Sequence, residues 1–519
     1  MSALRIFRLV IPRHPAINIY TRVADKTTAL GPVQVATLVS HLPGWDVEVI
    51  DENNYHAPGP LDDEGLPDHA RLQAERPACV VGFYGGLTST VPRLYHLALS
   101  YAGMGVATVG GGQHLDKLPD EALASGLDVV VHGEGEQAMI ELLDAFDANA
   151  FRPDALAAIA GISYLAGEQR RQTAPRPPCT DFEHQPLPDF GLLRFAHMSI
   201  YPVSRTRGCG QACEFCTVRG RPRSASAAAL LRQVARLVET RQARDFFIVD
   251  DHFAEDRDET LAFCHMLAAY RRRLGVRLFI TVQIRLDLGG DSELLEAMAD
   301  AGVRIAAIGI ESPIDADLQA MRKGMDSQRM VELVHGFHRA GIMVHGMFIF
   351  AYPARGGQPA ALGLQERIKA YRRFFRRSHI DTIQVLLAIP LPGTPFRTRM
   401  QREGRVVEGG GVGWEHYDGA HPLAQPDAPL TIEDLHLAQN RLMGGFYRFG
   451  SLFGLLGCTM AVPLLAPWLT WRGRWRSFQR VWRKQLISVL GSLVMSRWRR
   501  EFRRSPFPVL LRTRSATLS

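Results

Sequence analysis

The stretch "RGCGQACEFCTVRG", Arg207 to Gly220, sets Cys209, Cys213 and Cys216 in a C-x3-C-x2-C spacing. Three thiols in eight residues exceed chance and fall one short of an ordinary four-ligand metal site. Two readings follow from the residues. One is zinc, with a histidine such as His252 as fourth ligand, although structural zinc sites bring ligands in two short pairs and no second pair follows. The other is an iron–sulfur cluster, normally held by four cysteines, in which three would leave one iron open for a small molecule.

The sequence around this loop alternates strand and helix. Up to about residue 145 the runs "DVEVID", "ACVVGFYG", "VATVGGG" and "DVVVHGEGE" predict short buried strands of a parallel α/β sheet. Three of them end in glycine-rich turns, and ligands bind at that edge of open α/β sheets. The spacing G-x-G-x-x-G is absent after the first strand, so no dinucleotide fingerprint is supported. From Tyr201 the rhythm returns in "FFIVDD", "LFITVQIR", "IAAIGIES", "VHGMFIFAYP" and "IDTIQVLLAIPLPGTP", which predict a full or partial barrel. The intervening segment, rich in Pro and Arg, reads as a linker or irregular hairpin.

Cys209, Cys213, Phe215 and Cys216 resemble the C-x3-C-x-aromatic-C motif of the radical S-adenosylmethionine (SAM) superfamily. The resemblance implies a [4Fe-4S] cluster on the three cysteines, with SAM chelating the open iron beside Phe215. It extends to Asp250 and Asp251 at a second strand end, where the common G-G-E is replaced, and to Gln283 and Arg285 at a third. Glu311 and Ser312 in "GIES" resemble positions that contact SAM ribose and carboxylate, and Met347 lies in the strand that resembles the one flanking adenine. Each is also readable as a helix cap, a surface pair or a structural group.

The amino-terminal half is similar to the Rossmann-like cobalamin-binding domain fused ahead of many radical SAM enzymes. The resemblance implies cobalamin contacts at Gly85, Gly86, Thr88 and Ser89, at Gly111 and Gly112, and at Gly133, Glu134, Gly135 and Glu136. The D-x-H-x-x-G whose histidine would ligate cobalt from below is absent, and "PDHARL" at Pro67 to Leu72 does not fit it.

The expected fold class is thus α/β: a Rossmann-like cobalamin-binding domain over 1–148, a linker over 149–198, a partial (β/α) TIM-type radical SAM barrel over 199–398 and a mainly helical region over 399–519. The implied activity is reductive SAM cleavage and functionalisation of an unactivated C–H bond, with methyl transfer foremost. A cyclase or oxidase acting on a lipid- or tetrapyrrole-like substrate is the alternative, and a zinc-stabilised RNA-binding protein the rival from another class. Implied partners are a small, apolar substrate and an electron donor of flavodoxin or ferredoxin type. No side chain is assigned as general acid or base, because such chemistry belongs to cofactors.

Charge separates the tail from the body. From Arg472 onward there are thirteen Lys and Arg against Glu501 alone, while the remainder carries 47 basic and 52 acidic residues. Nucleic-acid binding by the body is not indicated. Phe449–Trp471 has no charged residue and would span about 30 Å as an ideal helix, but Pro463 and Pro467 interrupt it, so a buried hairpin is preferred over a membrane span. The Trp- and Arg-rich segment after it reads as a contact for anionic lipid, with a charged face closing the barrel or an RNA grip as alternatives. Scattered cysteines and no recognisable signal peptide predict a cytoplasmic chain, peripheral on the inner face of the membrane.

Overall fold

The computed structural model describes residues 4–15, 21–146, 151–218, 220–357, 360, 362–471 and 475–508. The expected boundary at residue 148 lies outside them. Five parallel strands, β1 (Arg5–Ile11), β2 (Trp45–Asp51), β3 (Val80–Tyr84), β4 (Ala107–Gly111) and β5 (Val129–Val131), form the first sheet in the order β2-β1-β3-β4-β5. The order reverses between β1 and β3, the topological switch point where open α/β sheets bind ligands. Two antiparallel strands, β6 (Ile162–Ala166) and β7 (Gln169–Gln172), extend the sheet beyond β5, so the segment read as a linker begins as a hairpin of this domain.

The sheet is apolar on both faces because helices cover both. Phe7, Val49 and Val109 pack with the helices Leu30–Val39 and Glu136–Asp144, while Val10, Ile50 and Val81 meet the helix Val91–Gly103. An arginine interrupts this pattern. Arg8, fully buried in β1, is bonded to Glu48 of β2 (2.6 Å), to the Tyr101 hydroxyl (3.1 Å) and to the carbonyls of Leu72 and Arg76 (3.0 and 2.7 Å).

The second sheet has six parallel strands, β8 (Ile200–Val203), β11 (Asp245–Ile248), β12 (Phe279–Gln283), β13 (Val303–Glu311), β14 (Met343–Phe350) and β15 (Thr382–Leu387), neighbours in that order. This is the partial barrel. Its helices begin at side-chain caps: Ser226, Asp256 and Asp291 each accept a backbone N–H of the first turn. Between β8 and β11 a two-residue antiparallel pair, β9 (Thr206–Arg207) and β10 (Arg223–Ser224), closes the base of the cysteine loop.

Beyond the barrel, Trp414 packs edge-on against His114 and donates to Glu121 (2.8 Å), which returns the carboxyl-terminal region to the first domain. Three helices follow, Ile432–Phe446, Ser451–Trp471 and Trp475–Arg504. Among the described residues no helix is long and apolar enough to cross a membrane. Of the tail's basic residues, Arg472, Arg474, Arg512 and Arg514 lie outside the described residues.

Truncating Arg8 to Ala leaves Glu48 short of a buried partner and strips two buried carbonyls. Breaking such an ion pair costs about 3–5 kcal/mol. Amide exchange of peptides from β1 to β3, followed by mass spectrometry, is expected to accelerate about a hundredfold or more in Arg8→Ala, while barrel peptides keep their protection.

Candidate active site

The carboxyl edges of the two sheets face one cavity of about 710 Å3. Gly86, Gly112, Gly133 and Glu134 line it from the first domain, and Ser204, Arg207, Thr217 and Asp251 from the barrel mouth. Its size is that of a site for a cofactor or drug-sized ligand.

The cysteine loop enters from the barrel side. Asp250, at the end of β11 and fully buried, accepts from the Ser204 hydroxyl (2.6 Å) and from the backbone N–H groups of Arg205 and Thr206 (2.9 and 3.0 Å). Burial raises its carboxyl to about 6 against these hydrogen bonds. Asp251 accepts from Gly208 N–H (2.9 Å), one residue before Cys209. Of the two acids, Asp251 lines the cavity and Asp250 serves the loop.

Within the loop, Glu214 is buried and bonded to Arg399 (two contacts of 3.0 Å), to the Tyr352 hydroxyl (2.9 Å) and to Arg355 (2.9 Å). Its backbone joins Met321 and Phe396. Phe215 lies edge-on to Tyr352. Cys213 is buried, whereas Cys209 and Cys216 are partly accessible. Burial pushes the Cys213 thiol up, opposed by the nearby Lys323 cation. The Cys216 sulfur accepts from Val218 N–H (3.4 Å).

These features fit a cluster. A backbone N–H on Cys216 and a cation near Cys213 stabilise thiolate sulfur, and Asp250, Asp251 and Glu214 hold the loop in place. Among the described residues no three His, Cys, Asp or Glu side chains converge tightly enough for one ion. His252, the candidate fourth ligand of the zinc reading, is buried and held mainly by that burial at about 4.

The remaining barrel positions have assigned partners. Arg285 pairs with Asp287 (2.5 Å). Glu311 adopts a left-handed backbone conformation (φ 64°) and bonds Lys323 (3.0 Å). Ser312 is fully buried between Asp317 (2.8 Å) and the Tyr371 hydroxyl (3.2 Å). Gln283 ends β12 with its carbonyl on Phe253 N–H (2.8 Å), and Met347 is half-buried in β14 beside Gly309.

In the first domain some glycines serve packing. A Cβ on Gly112 (φ 126°) would lie 2.5 Å from the Gly85 carbonyl carbon, and one on Gly86 would meet the Tyr84 ring. Gly111 and Gly85 are joined by a 2.7 Å backbone hydrogen bond. Thr88 and Ser89 are buried, with the Thr88 hydroxyl on His114 (3.2 Å). Gly133, with φ 71°, and Gly135 stay on the cavity wall.

Glu134 and Glu136 do something the sequence reading missed. Glu134 receives Arg207 (3.1 Å), Arg223 (2.9 Å) and the Cys179 N–H (2.6 Å), and Glu136 pairs with Arg207 (2.5 Å). Burial pushes the Glu134 carboxyl up, but these donors outweigh it and hold it below the usual range. Arg207 and Arg223 belong to β9 and β10, so the glycine edge of one domain is tied to the base of the cysteine loop in the other. The two cations also lie over the Phe182 ring.

The sequence profile of the radical SAM superfamily matches residues 203–354, and that of the B12 binding domain matches residues 19–143. The chain belongs to the radical SAM superfamily, in its cobalamin-binding branch. An uncharacterized methyltransferase of Synechocystis is 23% identical over 414 residues, 79% of this chain and 70% of that protein. A hopanoid C-2 methylase of Rhodopseudomonas palustris is 27% identical over 230 residues, 43% of this chain and 42% of that protein. An anaerobic magnesium-protoporphyrin IX monomethyl ester cyclase of Rubrivivax gelatinosus is 26% identical over 357 residues, covering 66% and 60%. In fold, the chain is similar to the cobalamin-dependent SAM radical enzyme OxsB (TM-score 0.64, 14% identity, 99% of this chain and 81% of that one). The domain pair carries its cofactors with it: a [4Fe-4S] cluster and SAM for the barrel, cobalamin for the first domain. The rival RNA-binding reading has no counterpart among these relatives.

Asp250 gives a test with a definite sign. Its folded-state value of about 6 lies above the ordinary 3.8, so the native protein takes up this proton first as pH falls. The group's contribution to stability therefore grows as pH drops from 6 towards 4 and is absent above 6. Comparing urea midpoints of wild type and Asp250→Asn, the difference should move in favour of wild type across that window and stay flat from pH 7 to 8. Asp250→Ala, which strands three donors, should lose iron on anaerobic gel filtration under conditions where Asp250→Asn retains it.

Proposed function

We propose that this enzyme methylates an unactivated carbon of a small apolar substrate held in the cavity between the first domain and the barrel mouth. The observation that carries the reading is that shared cavity. Cobalamin on the glycine edge and SAM at the cysteine loop would open onto the same space, as transfer between them through a substrate requires. When bound, the cluster, SAM and cobalamin supply one-electron chemistry and a methyl group.

The chain's own part is positional. Cys209, Cys213 and Cys216 would hold the cluster, with Asp251 and Phe215 at its rim. Gly133, Glu134, Gly135 and Glu136, on the cavity wall, would face the corrin. Asp250, Glu214 and the Glu134–Arg207–Arg223 set keep these groups in register and, by filling the seam, exclude water. No acid–base residue is needed. An apolar substrate agrees with the hopanoid methylase and porphyrin cyclase among the relatives, and a membrane surface is where such a substrate is met. An external one-electron donor of flavodoxin or ferredoxin type completes the partners. The cyclase reading, favoured by the Rubrivivax relative, uses the same site without methyl transfer.

Anaerobically reconstituted protein with SAM bearing a deuterated methyl group should form 5′-deoxyadenosine and deliver label to an apolar acceptor on mass spectrometry. Cys213→Ala should form neither while retaining the corrin absorption of the first domain. Deoxyadenosine without label transfer, across a panel of hopanoid- and tetrapyrrole-type acceptors in which one is consumed, would replace methyl transfer by the cyclase reading.

A further inference from the structure

We propose that the carboxyl-terminal hairpin docks the enzyme on an anionic lipid bilayer through an apolar stripe made by Phe453, Leu456 and Met460 of its first helix and by Phe449 in the turn before it. The docking deepens the reading above, and rests on it for the need to reach an apolar substrate. The stripe itself is a matter of geometry.

The helices Ser451–Trp471 and Trp475–Arg504 run antiparallel. The Ser451 hydroxyl meets that of Ser488 (3.0 Å), Gly454 lies against Gln485, and the Trp482 indole donates to Thr459 (3.0 Å). These contacts fix which side of the first helix faces its partner. Phe453, Leu456 and Met460 follow at steps of three and four residues, which places them on one face of the helix, and Phe449 stands in the turn that leads into it. That face is bare: Phe453 is 76% exposed and Met460 77%, with Phe449 and Leu456 about half exposed. Leaving four large apolar side chains in water on one stripe is the mark of an interaction surface.

The second helix shows why the stripe, rather than the arginines, makes the apolar contact. Val489, Met495, Trp498 and Phe502 are buried; Phe502 stacks on His436 of the helix Ile432–Phe446, and Trp498 packs tilted against the same ring. The aromatic half of the Arg-rich segment therefore holds the hairpin to the barrel. Its cations are largely at the surface: Arg497, Arg500, Arg503 and Arg504 are exposed, and Arg499, also exposed, donates to Asn440 (3.2 Å). Nearer the stripe, Arg448 precedes Phe449, and exposed Lys484 adjoins Gln485, at the level of Gly454.

Charge selects the occupant. Phe449–Trp471 contains no acid or base, and from Arg472 onward only Glu501 opposes thirteen Lys and Arg. An apolar stripe with Arg448 and Lys484 near it, in so basic a tail, matches the interface of a bilayer with anionic headgroups, where acyl chains receive the one and phosphates the other. A second copy of this chain would set like charges against each other.

The test is flotation of full-length, anaerobically reconstituted enzyme with phosphatidylcholine vesicles containing or lacking phosphatidylglycerol. Wild type should float with the anionic vesicles, and much less in high salt. The double variant Phe453→Asp, Met460→Asp should bind about a hundredfold more weakly, with iron content and deoxyadenosine formation in detergent unchanged. Undiminished flotation of the variant, or none by wild type, overturns the proposal. So does a wild-type dimer, seen by sedimentation, that the variant dissociates without any vesicle binding. Intact flotation with no SAM cleavage by wild type would instead sink the methylation reading and leave the docking standing.

Discussion

A loop bearing three thiolates must be rigid before its cluster arrives, and here the rigidity comes from carboxylates that water cannot reach. Asp250 gathers three donors at the entry to the loop, and Glu214 two guanidinium groups and a phenol at its middle. A buried carboxylate is tolerable only while its hydrogen bonds are made. Each alternative conformation of the loop would break several at once. The loop is thereby held at the mouth of the barrel by bonds that do not depend on a metal.

That constraint propagates to the first domain. Arg207 and Arg223, at the two feet of the loop, end on Glu134 and Glu136 of the glycine edge. Ion pairs of this half-buried kind contribute little stability individually. Their value lies in register, because three elements converge on one carboxylate and a shift of any of them unpairs the others. Trp414 adds a second tie on Glu121. Two domains whose active edges must share a substrate are thus aligned by polar contacts at the rim, which leaves the cavity free of bulk.

Much of this was legible in the sequence. The three cysteines, the strand rhythm and the glycine turns carry local signals, and local signals survive a linear reading. The alignment did not. Glu214 sits 185 residues from Arg399, and Glu134 is 73 and 89 residues from its two arginines. Nothing in the spacing of these residues announces such pairs, although Arg207 and Glu214 stood inside the motif itself. Asp250 shows the converse difficulty. An acid at a strand end reads as a ligand contact, yet Asp250 turns to the backbone of the loop and only its neighbour Asp251 faces the cavity.

The tail posed the same problem in another form. Composition alone assigns both apolar contact and charge to the Arg-rich segment. The structure divides them: the buried face of the second helix spends Trp498 and Phe502 on the body of the protein, and the uncharged helix before it keeps Phe453 and Met460 in solvent. An interior would have taken Phe453 and Met460 if only burial were at stake, since covering them is favourable by roughly 1.5–3 kcal/mol each. That they remain outside, on an uncharged helix next to the most basic part of the sequence, is a cost to the isolated molecule. On the docking proposed above, a bilayer that is apolar within and anionic at its surface would offset that cost.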